Sequence, residues 1–200
     1  MTVRQAGFTL LELVVALAIS LLTVATAYSV YVSQARSMAA HRERLAMQQE
    51  LRAISDLMVR ELRQAGYDPA GVNHDADPTN DFVGVSGDAD NLVIRADLNG
   101  DGQTDDSHEQ VSFSYDPNAF TLRRDTGGGR QPFGEAIESF EVRLFDRNGH
   151  MTLMPARVRY VQVVLVGRTT KSALRSAAHD GNQTYPLRVS VAPRNLGLGR

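Results

Sequence analysis

The sequence predicts an α+β fold: one long N-terminal helix, apolar in its first half and amphipathic in its second, packed on an antiparallel β-sheet. Three observations carry this. Between Phe8 and Ala65 there is neither Gly nor Pro, so nothing in that stretch demands a break. Its second half places Met47, Leu51, Ile54, Met58, Leu62 and Ala65 at spacings of three and four, the apolar stripe of a helix. Beyond Asn80 the period changes to two, in short segments separated by Gly, Asp, Asn and Pro. At 200 residues the chain allows one globular domain of moderate size beside such a helix.

Composition narrows the field further. The formal net charge is −2, too small for bulk electrostatics to imply a nucleic-acid or membrane-surface partner. Its distribution is uneven. Asp68 to Glu109 holds 11 acidic residues against the single Arg95, whereas Gln110 onward holds 13 basic and 7 acidic. There are 0 cysteines, so no disulfide staples the fold.

Residues 1–7 form a short polar leader whose only charged side chain is Arg4, a positive charge that holds this end in the cytoplasm. From Leu13 to Ala35 the run is uncharged and long enough to cross a bilayer of about 30 Å, so 8–35 reads as a transmembrane segment. Ser20, Thr23, Thr26 and Ser29 are tolerable there because their hydroxyls can return to the backbone. Residues 36–66 are the amphipathic half, with Arg42, Glu43, Arg44, Arg52, Arg60 and Arg63 off the apolar stripe. That stripe reads as packing for the chain's own sheet. Gly66 follows the last apolar position as a C-cap glycine does.

Residues 67–200 read as the globular β domain. Residues 68–80 form a surface connection rich in Pro, Gly, Asn and Asp. Strands are expected over 81–85, 91–96, 110–115, 119–123, 137–145, 158–166 and 187–191, about five to seven in one sheet. Asn148-Gly149 is a hairpin signal, and 169–182 reads as a polar loop.

The stretch that organises the chain is Gly7-Phe8-Thr9-Leu10-Leu11-Glu12. A carboxylate at bilayer depth costs roughly 2.5 kcal/mol or more, so Glu12 needs a reason. The stretch resembles the processing and methylation signature of type IV pilins and type II secretion pseudopilins. The resemblance implies cleavage between Gly7 and Phe8 by a prepilin peptidase, methylation of the new amine, and Glu12 as the assembly acid. A cleaved Phe8 amine and Glu12 lie about one helical turn apart, and each favours an opposite charge in lipid. In two staggered helices, Glu12 of one meets the Phe8 amine of the next, which sets register in a filament.

Arg60-Glu61-Leu62-Arg63-Gln64-Ala65-Gly66-Tyr67 also resembles the end of this helix in minor pilins of the PilW type. The implied protein is a minor pilin that primes or joins a type IV pilus, with a GspJ-like pseudopilin as the alternative. Its implied partners are other pilins, the prepilin peptidase and the inner membrane, with the globular domain periplasmic and later on the pilus. Two departures stand out: many pilins close a C-terminal disulfide loop, and many carry a Pro in the first helix. A secreted soluble binding protein or enzyme with an ordinary signal peptide is the alternative of another class. Its signal peptide would have Arg4 as positive region, Leu10 to Val24 as apolar core and Ala25-Thr26-Ala27 as cleavage site. Glu12 inside that core, and Tyr28, Val30, Tyr31 and Val32 continuing the apolar pattern, count against it.

Asp97-Leu98-Asn99-Gly100-Asp101-Gly102-Gln103-Thr104-Asp105-Asp106-Ser107-His108 resembles an EF-hand or dockerin calcium loop. Alternating oxygen ligands wrap a hard cation, and glycine at the sixth place permits the turn. Asp97, Asn99 and Asp101 would ligate by side chain, Gln103 by its carbonyl, and Asp105 directly or through water. His108 stands where a bidentate carboxylate is expected, leaving Asp106 or Glu109 to supply it. Calcium is thus the one cofactor expected, with a solvated Asp/Asn/Gly hairpin loop as the alternative. No catalytic constellation appears. His41, His74, His108, His150 and His179 are dispersed, and no Gly-x-Ser-x-Gly is present. Gly127-Gly128-Gly129 lacks the Lys and helix of a phosphate loop. Arg123, Arg124, Arg143, Arg157 and Arg159 raise a DNA-binding face, against which stands the paucity of aromatics between them.

Overall fold

The computed structural model describes residues 7–169 and 182–196. All but Gly7 of the leader expected over 1–7, Arg4 included, lies outside the described residues, as does most of the loop expected over 169–182. The chain forms two units, 1–43 and 44–200. One helix, α1 (Leu10–Gln64), contributes to both.

In the first unit α1 exposes all its apolar side chains but Val32 and Ala40, which are half-buried. It is long and apolar enough to cross a membrane. Four of its hydroxyls are satisfied by its own backbone: Ser20 donates to the Ala16 carbonyl at 2.7 Å and Thr23 to Ile19 at 2.8 Å. Thr26 donates to Thr23 at 2.9 Å and Ser29 to Thr26 at 2.8 Å. That self-satisfaction is what makes a polar residue tolerable in hydrocarbon.

In the second unit the helix becomes core. All six stripe positions are buried, from Met47 at 8% exposure to Leu62 and Ala65 at 0%. Gly66 takes the left-handed conformation (φ 71°) that ends the helix, and its N–H donates to the Arg95 carbonyl at 2.8 Å. Among the described residues eight strands follow, all paired antiparallel. β1 (Val85–Asp88), β2 (Asn91–Arg95), β3 (Gln110–Asp116), β4 (Thr121–Asp125) and β5 (Gln131–Gly134) form a meander in chain order. β6 (Ile137–Phe145), β7 (Tyr160–Arg168) and β8 (Thr184–Val191) form a second sheet. Leu51 and Met47 lie against Gly167 of β7, and Ile54 against Gly134 of β5, so the stripe covers both sheets. Phe113 at the centre is fully buried and tilts against Phe133, ring centroids 5.5 Å apart. Arg124 on β4 reaches Glu61 on α1 at 2.6 Å.

The α+β arrangement of a long helix with antiparallel strands is as expected, and its sheet count is not. The strands split into two sheets, and Gln131–Gly134 pairs as a strand although Pro132 hides it from a periodicity reading. The strand expected over 81–85 lies at Val85–Asp88, because the Ala89-Asp90 turn pairs Asp88 with Asn91 and fixes the register. The turn at Asn148-Gly149 forms, with Gly149 at φ 79° and its N–H on the Asp146 carbonyl at 3.1 Å. It does not lead straight into β7, however. Phe145 pairs with Tyr160, and residues 146–159 stand out as a connection with a 3-10 turn at Pro155–Arg157.

Candidate functional site

At the start of α1 the chain closes a reciprocal cap. Thr9 precedes the first helical residue, and its N–H and hydroxyl both donate to Glu12 Oε2, at 2.8 and 2.9 Å. The Glu12 N–H returns to the Thr9 hydroxyl at 3.3 Å. Two N-terminal amides and the hydroxyl are thereby satisfied by one carboxylate and one side-chain oxygen. Thr-x-x-Glu before an apolar run is the sequence signal for such a cap, and reading Glu12 only as a lone acid misses Thr9. The carboxylate is thus engaged within its own chain. Gly7 and Phe8, the residues of the expected cleavage, are open: among the described residues nothing stands within 4 Å of where a Gly7 Cβ would be, and Phe8 is 91% exposed.

The acidic loop, residues 97–109, connects β2 to β3. Its inner carboxylates face the loop's own backbone. Asp97, fully buried, accepts the N–H groups of Gly100 at 2.6 Å and Gly102 at 3.0 Å. Glu109, also buried, accepts those of Leu98 at 2.9 Å, Asn99 at 3.1 Å and Asp106 at 3.3 Å. Asn99 turns its amide nitrogen to Asp101 at 3.2 Å and Asp106 at 2.8 Å. The Asp101 N–H donates to Asn99 Oδ1, and the Gln103 N–H to Asp101 Oδ1, both at 2.8 Å. Among the described residues no three His, Asp or Glu side chains converge as metal ligands. Asp105 and Asp106 instead line an open polar groove of about 540 Å³ with Gln103, Gln110 and Asp125.

The five arginines considered for DNA are not brought to one face. Arg123 and Arg124 lie on β4, Arg143 on β6, Arg157 and Arg159 in the 146–159 connection. Three of them meet carboxylates: Arg123 with Asp116 at 3.5 Å, Arg124 with Glu61, and Arg143 with Glu141 at 2.7 Å.

Comparison with known proteins settles the family. The model for prepilin peptidase-dependent protein B matches residues 40–180. The chain belongs to that family. The prokaryotic N-terminal methylation motif matches residues 3–28, which include Gly7, Phe8 and the Thr9–Glu12 cap. The protein is thus type IV pilin-like and prepilin peptidase-dependent, in a family of structural proteins. Among solved structures, a type IV-like pilin, TTHA1219 from Thermus thermophilus, aligns with 15% identity and a TM-score of 0.43. That alignment covers 74% of this chain and 97% of the other. No curated protein matches the chain.

Proposed function

We propose that the protein is a minor pilin, a structural subunit that primes or joins a type IV pilus. Peptidase cuts between Gly7 and Phe8, and the Phe8 amine is methylated. The subunit waits in the inner membrane with its second unit periplasmic. During assembly Glu12 exchanges its Thr9 partners for the Phe8 amine of a neighbouring helix. One observation supports this above the rest: an acid at the head of a membrane-length helix, pre-folded by a cap, one turn from the cleavage point. A charged amine is a stronger partner than an amide and a hydroxyl, so the exchange runs toward assembly. Mass spectrometry of the mature chain tests the reading. A methylated Phe8 start supports it, and a start at Tyr28, as a cleaved signal peptide gives, overturns it. Immunogold labelling of sheared pili separates a pilus subunit from a secretion pseudopilin.

Calcium at the 97–109 loop is a separate proposal. The hard oxygen donors of Asn99, Asp101, Gln103, Asp105 and Asp106 speak for it. The five backbone N–H groups already on Asp97 and Glu109 speak against it. Calorimetric titration of the full chain decides: binding heat that Asp101→Ala removes supports the ion, and no heat in the parent ends it.

A further inference from the structure

The connection between β6 and β7 displays apolar side chains that the fold has no use for. Met151 is 68% exposed, Leu153 81%, Met154 58% and, at the start of β7, Tyr160 46%. Among the described residues C-terminal to α1 these are the four most exposed large hydrophobics. The connection is nevertheless fastened along its length. The Thr152 N–H donates to the Leu144 carbonyl at 2.9 Å, the Arg159 N–H to Phe145 at 2.8 Å, and the Asp146 N–H to His150 at 2.9 Å. The Arg159 guanidinium turns back onto the Ala156 and Val158 carbonyls, at 3.0 and 2.7 Å. A backbone fixed in this way loses little further freedom when its side chains are covered. An apolar patch held against water marks a contact with protein or with membrane.

Charge decides between the two. The small net charge of the chain hides a local excess: residues 146–160 hold Arg147, Arg157 and Arg159 against Asp146 alone. Arg147 and Arg157 are exposed, and neither makes a salt bridge among the described residues. The acids beside them in sequence are engaged, Glu141 with Arg143 at 2.7 Å and Asp146 with the Asn148 and His150 amides at 2.8 and 2.9 Å. The acidic β2–β3 loop is remote. β6 passes the β1–β2 and β3–β4 turns, where the Val142 N–H donates to Ala89 and the Ile137 N–H to Phe120, and the β2–β3 loop leaves the opposite end of that sheet. A guanidinium matches a phosphate with paired N–H donors. Leu and Met need only acyl depth, and Tyr suits the boundary between lipid and water. A protein partner must offer a hollow of matching shape, whereas a fluid bilayer accepts a protruding connection as it is. The same chain carries a membrane-length helix, so the protein works beside lipid.

We propose that residues 146–160 form a peripheral lipid-binding site for an anionic bilayer surface. Met151, Leu153 and Met154 enter the interface, Tyr160 lies at its boundary, and Arg147 and Arg157 hold headgroup phosphates. This contact is additional to the span in α1 and goes beyond the pilin reading, since it does not depend on entry into a filament.

The test holds the full chain in nanodiscs of neutral phosphatidylcholine and adds vesicles of phosphatidylglycerol or of phosphatidylcholine. With 0 native cysteines, Ala156→Cys places a single environment-sensitive fluorophore on the exposed connection. Ser107→Cys places it on the exposed β2–β3 loop as a control. The fluorophore at residue 156 should shift to the blue with phosphatidylglycerol vesicles, at an affinity at least about tenfold above that for phosphatidylcholine. Arg147→Glu with Arg157→Glu should weaken that binding at least about tenfold, and Leu153→Ser with Met154→Ser about as much. Circular dichroism checks that the variants fold. No shift, equal affinity for the two lipids, an equal shift at residue 107, or indifference to either pair of substitutions overturns the proposal. So does a shift that follows protein concentration without vesicles, which assigns the surface to a protein contact.

Discussion

At the scale of single residues, two charged side chains are controlled by local hydrogen bonds. Glu12 is capped by Thr9 through three bonds, of which the hydroxyl makes two. Thr9→Val keeps the backbone bond and removes the others, which at the usual worth of an N-cap is about 1 kcal/mol. Amide exchange at Leu10 to Glu12 in detergent micelles should quicken about fivefold, and unchanged exchange would show that the hydroxyl holds nothing. Arg124 and Glu61 are the second case. The pair is mostly enclosed, at 23% and 15% side-chain exposure, and the Arg124 Nε is buried with no partner among the described residues. Glu61→Ala strands that guanidinium and should cost about 2 kcal/mol in chemical denaturation. Glu61→Gln, which keeps an acceptor for the 2.6 Å contact, should cost less.

At the scale of elements, the sequence makes legible whatever has a period. The stripe from Met47 to Ala65 can be read because spacings of three and four have one geometric meaning, and Ile137–Phe145 because Phe140, Val142 and Leu144 alternate. Glu12 stands out in the sequence for a different reason: a charge inside an apolar run is an anomaly any reader must explain. Elements fixed by pairing rather than by their own pattern are not legible. β5 carries Pro132 and Gly134, and it is a strand only because β4 lies beside it. The 97–109 loop shows the limit most clearly, since its ligand-like spacing equally suits Asp97 and Glu109 fastening the loop's own amides. The 146–159 connection resembles a two-residue hairpin in sequence for a related reason: Asn-Gly specifies the turn and not the path of the chain after it. Asp146 anchors that connection, and the backbone N–H of His150, more than the other donors, holds its carboxyl below the ordinary aspartate value. A carboxyl depressed in the folded state stabilises fully above its unfolded value and loses that contribution as pH falls through the depressed one. The His150 and Asn148 amides should therefore lose exchange protection only at strongly acidic pH, and Asp146→Asn should abolish that dependence.

At the scale of the whole molecule, the division at residues 43 and 44 assigns two tasks to one helix. Every residue of the buried cluster, from Met47 to Val191, belongs to the second unit. That unit should fold without the first. Residues 44–200 expressed alone should give a cooperative thermal transition with near-UV signals like those of the full chain in detergent. The boundary matters, because the sheets do not suffice. Met47, Leu51, Ile54, Met58 and Leu62 each gain about 1.5–3 kcal/mol on burial, together of the order of the net stability of a domain, about 5–15 kcal/mol. With 0 cysteines there is no disulfide to compensate. A fragment beginning at Tyr67 should therefore be unfolded or molten, binding hydrophobic dye and lacking a sharp transition. Adding a peptide of residues 44–66 should restore the transition in proportion to peptide concentration, because the missing part is a packing surface and not a catalyst of folding. A Tyr67 fragment that melts as sharply as the longer one would show that the sheets carry their own core, and that the amphipathic half of α1 is merely attached to them.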